Sequence, residues 1–117
     1  MARAFLTRRA LRDLDEIDSY SIEKWGDDVA ARYLADIYSA LELIEGLPSL
    51  LANRPELSGR LRFYRVRKHL MICDLIDGDI FVLAFRHSSM DLQSRIAELE
   101  PQLIEEAQIL HDRIAGE

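Results

Sequence analysis

Cysteine and long hydrophobic runs are nearly absent from this chain. Cys73 is its single cysteine, which excludes an internal disulfide and a multi-cysteine metal site and fits a reducing compartment. No stretch approaches the ~18 apolar residues that span a bilayer, and the N-terminal apolar run is too short for a signal peptide. We therefore expect a cytoplasmic protein that is neither secreted nor resident in a membrane.

Basic residues are outnumbered, with 15 Lys and Arg against 21 Asp and Glu and a formal net charge of −6. This balance argues against a protein that binds nucleic acid over its whole surface. Apolar side chains are plentiful, at 49% of the residues, as in ordinary globular proteins. A length of 117 residues suits one domain.

The spacing of apolar residues predicts a strand at 4–6 and two helices within 8–47, joined at Gly26 as an antiparallel hairpin. Residues 48–58 form a loop with one helical turn. Strands follow at 60–66, 69–76 and 80–85, with turns at Arg67-Lys68 and Asp77-Gly78. The second turn is a two-residue hairpin type that requires positive φ at its glycine. The sequence thus predicts an α+β fold of order β-α-α-β-β-β, with the helical hairpin on one face of a small, mainly antiparallel sheet.

Residues 92–117 differ from the rest because they carry a helical apolar stripe and an acidic excess. We expect a C-terminal helical extension that is kinked or broken at Glu100–Pro101, since proline removes a helix hydrogen bond. The chain therefore divides into a domain at 1–91 and an extension at 92–117. That extension belongs to the same compact unit or contacts a second copy, because an exposed apolar stripe is unusual in a soluble monomer.

The segment 60–68 holds a dense group of cations around Tyr64: Arg60, Arg62, Arg65, Arg67 and Lys68. In a regular strand Arg60 and Arg62 would share one face, and Arg65 and Arg67 the other. No clean apolar face results, so we expect a bulge or an edge position. Guanidinium groups bind phosphates and carboxylates bidentately, which favours an anion or partner site. The alternative is an edge strand that charge keeps from aggregating.

His87 follows a predicted strand, beside Arg86. Such a pair could perform acid–base chemistry on a phosphodiester, but we prefer a structural histidine that binds the loop through Ser88 or Asp91. For His69 we expect a solvated or turn-capping role.

Three further residues invite a functional interpretation. His111 belongs beside the C-terminal stripe, Cys73 is an inert buried residue, and Trp25 is a core anchor. These residues indicate no catalytic group, metal site or cofactor.

Two ordered groups of residues resemble a known family. The first is Leu6-Thr7-x-x-Ala10-x-x-Asp13-Leu14-x-x-Ile17-x-x-Tyr20, with Trp25-Gly26 and Ala30-x-x-Tyr33-Leu34 behind it. The second is Leu61-Arg62-x-Tyr64-x-Val66-x-x-His69-Leu70-Met71-Ile72, then Val82-Leu83 and His87-x-x-Met90-Asp91. Together, over residues 4–91, they resemble the ParE branch of the RelE/ParE toxin superfamily. The chain departs from the family pattern at Arg67, Cys73 and Ser89.

The resemblance implies the toxin of a type II toxin–antitoxin module, which inhibits DNA gyrase by protein–protein contact and is neutralised by a cognate antitoxin. It implies no catalytic residue and no cofactor. The expected antitoxin or gyrase contacts are Arg60, Arg62, Arg65, Arg67, Lys68, Arg86, His87, Ser89, Met90 and Asp91. The alternatives are a RelE-like ribosome-dependent mRNA endonuclease using His87, Arg86, Arg65 and Tyr64, or an inactive relative that only binds antitoxin.

Three roles stay open for the C-terminal extension in such a toxin. It could fold back over its own sheet and partly occupy the antitoxin groove near 60–68. It could form a homodimer with a second copy. It could also simply complete the core of the domain.

Overall fold

The helical hairpin is set by the residues at its ends. In the computed structural model, which describes residues 2–116, strand β1 spans Ala4–Leu6 and helix α1 spans Arg8–Trp25. Thr7 caps α1 by accepting a hydrogen bond from the Ala10 backbone nitrogen at 3.2 Å. Gly26, at φ 91°, ends α1 and permits helix α2, Asp27–Gly46, to turn back. Glycine adopts this φ without the strain of a Cβ, and the predicted helical hairpin is confirmed.

The sheet contains five strands in the order β1-β5-β4-β3-β2. After a short 3-10 turn at Pro48–Leu50, its remaining strands are β2, Ala52–Asn53; β3, Arg62–Val66; β4, His69–Ile76; and β5, Asp79–His87. Strand β1 is parallel to β5, and the other neighbours are antiparallel. The predicted mainly antiparallel sheet is confirmed, while the two-residue β2 lies in the segment for which we expected only a loop and a helical turn.

The turn between β4 and β5 has the conformation that its sequence predicts. Asp77 and Gly78 have φ values of 52° and 81°, the pair of positive angles of a type I′ turn. The turn pairs Ile76 with Asp79, but a register shift at Ile72/Cys73 displaces the far half of the ladder by one residue. His69 therefore faces His87 rather than Arg86.

Each face of the sheet is covered by helix. The hairpin packs on one face, over buried Met71, Cys73, Ile80, Val82 and Phe85. Helix α3, Leu92–Ala115, packs on the other face, over buried Leu61, Phe63, Leu70, Ile72, Phe81 and Leu83. The apolar stripe of the C-terminal extension is thus buried against its own chain, and the α+β architecture with a C-terminal helix is confirmed.

We expected a kink or a break at Glu100–Pro101, and the break is wrong. Helix α3 runs without interruption through Pro101. Loss of one backbone hydrogen bond is offset because Ile96 and Leu103, on either side of the proline, are fully buried on the same sheet face. Neither α3 nor another helix between residues 2 and 116 combines the length and hydrophobicity needed to cross a membrane.

Candidate functional site

Strand β3 lies almost at the edge of the sheet, as its charge pattern predicts. Its outer neighbour β2 pairs only with Arg62 and Phe63. Within residues 2–116, the outer side of 64–66 has no strand beside it. An uncovered edge presents backbone N–H and C=O groups that can pair with another chain. This part of β3 is therefore open to an additional strand.

Four cations flank that open edge, and we call Arg62, Arg65, Arg67 and Lys68 the basic edge. Arg62, Arg65 and Lys68 form no ion pair with any of the residues that the structure describes. The Arg65 Nε atom donates to the Arg67 carbonyl oxygen at 2.8 Å, so that its charge stays uncompensated. These side chains are available to bind carboxylates or phosphates.

Arg60 is structurally separate from the basic edge. It precedes β3, and its Nη2 and Nε atoms lie 2.8 and 3.3 Å from the two carboxylate oxygens of Asp74. The Asp74 side chain is only 3% exposed. A buried carboxylate needs a partner charge, so the first role of Arg60 is to compensate Asp74.

Arg67 joins the basic edge to the helical hairpin. Its Nε atom lies 2.5 Å from Asp36 Oδ2 on α2, and its guanidinium carbon lies 5.1 Å from the centre of the Tyr33 ring. Its φ of 52° is in the left-handed region, where a Cβ is strained. Arg67 is one of the positions where the chain departs from the family pattern, and the ion pair and the ring contact accompany its strained conformation.

His69 is held by Tyr33 and is not the solvated or turn-capping residue that we expected. The Tyr33 hydroxyl oxygen accepts a hydrogen bond from the Lys68 backbone nitrogen at 3.2 Å and lies 2.6 Å from His69 Nδ1. We assign the hydroxyl proton to the contact with His69, because no other acceptor for it lies among residues 2–116. Burial, assisted by the neighbouring His87, lowers the pKa of His69 to about 4. Burial also raises the pKa of Tyr33. The His69 imidazole is therefore neutral at pH 7.

Arg86 and His87 at the end of β5 both have partners within the protein. Arg86 Nη1 lies 2.8 Å from Asp13 Oδ2, an oxygen that also accepts from the Phe85 backbone nitrogen at 3.0 Å. His87 Nδ1 lies 2.6 Å from the Ser89 hydroxyl oxygen and accepts from the Ser89 backbone nitrogen at 3.1 Å. His87 thus binds its own loop, as in the interpretation that we prefer, but through Ser89.

Asp91 ends this loop and caps α3, because its carboxylate accepts from the Ser94 backbone nitrogen at 3.3 Å. Met90 is 38% exposed. The segment from His87 to Asp91 is therefore anchored at both ends and exposed between them.

His69, Arg86 and His87 meet in one surface groove, which we call the histidine groove. Its volume is about 650 Å³, and its remaining lining residues are Arg9, Arg12, Asp13, Glu16, Ile17, Tyr20, Phe85 and Met90. The sequence offered no direct signal for its α1 side. Arg62, Arg65, Arg67 and Lys68 do not line it, so the predicted contact residues fall on two separate surfaces.

Trp25 is 48% exposed, so its expected role as a core anchor is wrong. Its ring makes an edge contact with Tyr20, at 5.8 Å between centroids.

Cys73 is fully buried, and burial raises its pKa, in agreement with an inert role. His111 contacts Phe81 beside the C-terminal stripe, as expected. Across residues 2–116, no three His, Cys, Asp or Glu side chains are grouped so that they could hold a metal ion.

Comparison with known proteins identifies the family. The model of the ParE toxin of the type II toxin–antitoxin system, parDE, matches residues 4–92. The chain belongs to the ParE toxin family. It is 40% identical to Toxin ParE1 of Caulobacter vibrioides over 45 residues, which are 38% of this chain and 47% of that protein. The match thus spans about half the length of this curated relative.

A solved structure shares the fold. It is a chain of the chromosomal ParDE TA system from P. aeruginosa, with a TM-score of 0.66 at 20% sequence identity over 74% of this chain and 96% of that chain. Most of α3 lies beyond the residues that the family model matches. The ParE resemblance seen in the sequence is confirmed, and α3 is largely an addition to the matched region.

Proposed function

We propose that this protein is the toxin of a type II toxin–antitoxin system, that it inhibits DNA gyrase by protein–protein contact in the cytoplasm, and that a cognate antitoxin neutralises it. The observation that carries the proposal is the match to the ParE family model over residues 4–92. The proposal needs two open protein-binding surfaces, one for the antitoxin and one for the target.

The first surface is the basic edge, which suits an acidic, extended antitoxin segment. Such a segment would pair its backbone with the open side of 64–66, since peptides add readily to uncovered sheet edges. Its carboxylates would meet Arg62, Arg65 and Lys68, which lack ion-pair partners among residues 2–116. Charge-assisted hydrogen bonds of this kind are stronger than neutral ones. We therefore assign the antitoxin contact to the basic edge.

Helix α3 leaves that edge open. It packs on the face of the sheet opposite the hairpin and contacts mainly β4 and β5. Glu100 of α3 is hydrogen-bonded to Ser58, which precedes β3. Because its apolar stripe is buried within its own chain, we favour α3 as a completion of the core over a homodimer contact or an occupant of the antitoxin groove.

The second surface is the segment from His87 to Asp91, where we place the gyrase contact. Arg86, fixed by Asp13, and Asp91, fixed as the cap of α3, hold its ends. Ser89 and Met90 are exposed between them. A short exposed segment with fixed ends loses little conformational freedom on binding, which favours recognition by a partner protein.

Growth assays test the toxin proposal. Expression of the protein should arrest growth, and co-expression of the product of an adjacent small reading frame should restore it. A folded, abundant protein that leaves growth unchanged contradicts the proposal.

A matched pair of triple variants tests the antitoxin surface. The variant Arg62→Gln/Arg65→Gln/Lys68→Gln should weaken antitoxin binding in low salt, where exposed charges act most strongly, by about tenfold or more. The control Arg8→Gln/Arg32→Gln/Arg95→Gln removes the same charge from exposed residues elsewhere and should bind like the unchanged protein. Equal affinities of the two variants would contradict the assignment.

A further inference from the structure

The histidine groove contains a pair of imidazoles, of which the toxin proposal places only His87 at a partner contact. His69 and His87 face each other across β4 and β5, with ring centroids 5.3 Å apart. Both line the groove of about 650 Å³, a volume within the range of small-molecule sites, roughly 300–1,000 Å³. The position of their protons determines what the groove can bind.

The hydrogen bonds favour one tautomer for each ring. No other acceptor for the Tyr33 hydroxyl proton lies among residues 2–116, so we assign Tyr33 as the donor to His69 Nδ1, and His87 Nδ1 accepts the backbone N–H of Ser89. In a neutral imidazole one nitrogen accepts and the other carries the proton, so each ring carries its proton on Nε2. The lowered pKa of His69, about 4, which burial and the neighbouring His87 cause, keeps that ring neutral at pH 7.

Both Nε2 atoms are accessible to solvent on residues that line the groove. Neither has a hydrogen-bond partner among residues 2–116, and in that part of the chain no buried side-chain nitrogen or oxygen is left without one. The two Nε2–H groups are therefore unpaired donors at the groove surface.

Charged groups complete the donor set. Arg12 lines the groove and forms no ion pair within residues 2–116, and Arg86 uses only its Nη1 atom on Asp13. Two carboxylates also line the groove. Asp13 accepts from Arg86 and from the Phe85 nitrogen through Oδ2 alone, and Glu16 is exposed. Arg9, the remaining cation, is paired with Glu106. The side-chain N–H groups of His69, His87 and Arg12 are therefore unpaired donors of the groove.

Part of the groove is lined by apolar or aromatic side chains, which we call the apolar wall: Ile17, Tyr20, Phe85 and Met90. Tyr20 is 55% exposed, so its ring is accessible to a ligand. A ligand that fills the groove would thus place an oxygen-rich group against the histidines and an apolar or aromatic group against this wall.

We propose that the histidine groove is a binding site for a phosphate oxyanion carried on a planar aromatic body, the chemistry of a nucleoside monophosphate. The Nε2–H groups of His69 and His87 and the Arg12 guanidinium donate to the phosphate oxygens. Donors from three side chains match the several oxygens of a tetrahedral phosphate better than the two of a carboxylate. The site is distinct from the basic edge and does not depend on the toxin proposal.

Nitrogen NMR of the histidine side chains tests the site on the full chain. Inorganic phosphate, adenosine monophosphate and adenosine are titrated separately at constant ionic strength. We expect adenosine monophosphate to shift the Nε2 signals of His69 and His87, with His111, which lies outside the groove, as the internal control. A matching response to inorganic phosphate alone would overturn the role of the apolar wall, and a response to adenosine alone would overturn the phosphate assignment. Unchanged signals with all three probes would overturn the site.

Variants separate a built site from general attraction to positive charge. Arg12→Gln should weaken adenosine monophosphate binding about tenfold, whereas Arg8→Gln, which removes the same charge from the same helix outside the groove, should not. His87→Leu should abolish binding, and His87→Gln, which retains a nitrogen donor at the end of its side chain, should preserve part of it. Equal weakening by Arg12→Gln and Arg8→Gln would overturn the proposal, as would unaltered binding by His87→Leu.

Discussion

Replacement of Leu103 by alanine tests whether α3 is part of the domain core. Leu103 is fully buried between α3 and the sheet, in the cluster that includes Phe63 and Phe81. Truncation of a buried leucine removes its transfer free energy and leaves a cavity, a loss of about 2–5 kcal/mol. We expect Leu103→Ala to lower the free energy of unfolding by about this amount. Urea denaturation measures it as a lower midpoint with an unchanged slope.

The control lies on the same helix. Ile109 is 52% exposed, so Ile109→Ala should change stability by no more than about 0.5 kcal/mol. Trp25 fluorescence reports on the hairpin, and far-UV circular dichroism reports on all helices including α3. Coincident transitions by both probes are expected if α3 unfolds with the domain. Equal midpoints for the Leu103 and Ile109 variants, or separate transitions by the two probes, would refute the reasoning.

Three further predictions concern Arg67, Arg60 and His69. Arg67→Gly should have a free energy of unfolding in urea about 1 kcal/mol higher than that of Arg67→Ala. Both variants lose the ion pair with Asp36, but only alanine retains a Cβ that is strained at φ 52°. Equal stability of the two variants would contradict this. Arg60→Ala should lower the free energy of unfolding by about 2–4 kcal/mol, because it leaves the buried Asp74 carboxylate unpaired, and adding Asp74→Asn should recover part of the loss; a neutral Arg60→Ala would argue against the pair. Burial lowers the pKa of His69 from 6.5 to about 4 in the folded protein, so the unfolded state binds the proton first as the pH falls. The stability that the neutral ring provides is therefore complete above pH 6.5, and the free energy of unfolding decreases as the pH is lowered from 6.5 towards 4. Urea midpoints measured against pH should decrease over this range in the unchanged protein and decrease less in His69→Gln. Parallel curves for the two proteins would contradict the prediction.

Local patterns determine much of this fold, and the sequence predicts those parts. The apolar stripes of α1 and α2, with Gly26 between them, are sufficient to predict the hairpin. Asp77-Gly78 likewise predicts the turn between β4 and β5, because few residue pairs adopt two positive φ angles. The charges of 60–68 predict a bulge or an edge position. Strand β2, only two residues long, pairs with Arg62 and Phe63 and leaves 64–66 without an outer strand within residues 2–116.

The site depends on contacts between distant residues, and these are harder to predict. If the register set by the Asp77-Gly78 turn continued unchanged, His69 would pair with Arg86. The irregularity at Ile72/Cys73 adds one residue and brings His69 opposite His87. No local pattern marks that irregularity, so the sequence did not show that the two histidines meet.

Partner charges are equally hard to foresee. Arg60 and Arg62 look equivalent in the sequence, but the buried Asp74 takes Arg60 and leaves Arg62 free of ion pairs with the residues that the structure describes. The continuity of α3 through Pro101 also depends on tertiary packing on both sides of the proline, which a local rule for proline does not include.

Purified gyrase provides the assay for the proposal that this protein is a gyrase-inhibiting toxin. DNA supercoiling is measured with and without the folded protein, and the products are scored for inhibition and for trapped linear DNA. We expect inhibition together with linear DNA, and relief of both by the antitoxin. Undiminished supercoiling and no linear DNA at a molar excess of the folded protein would contradict it.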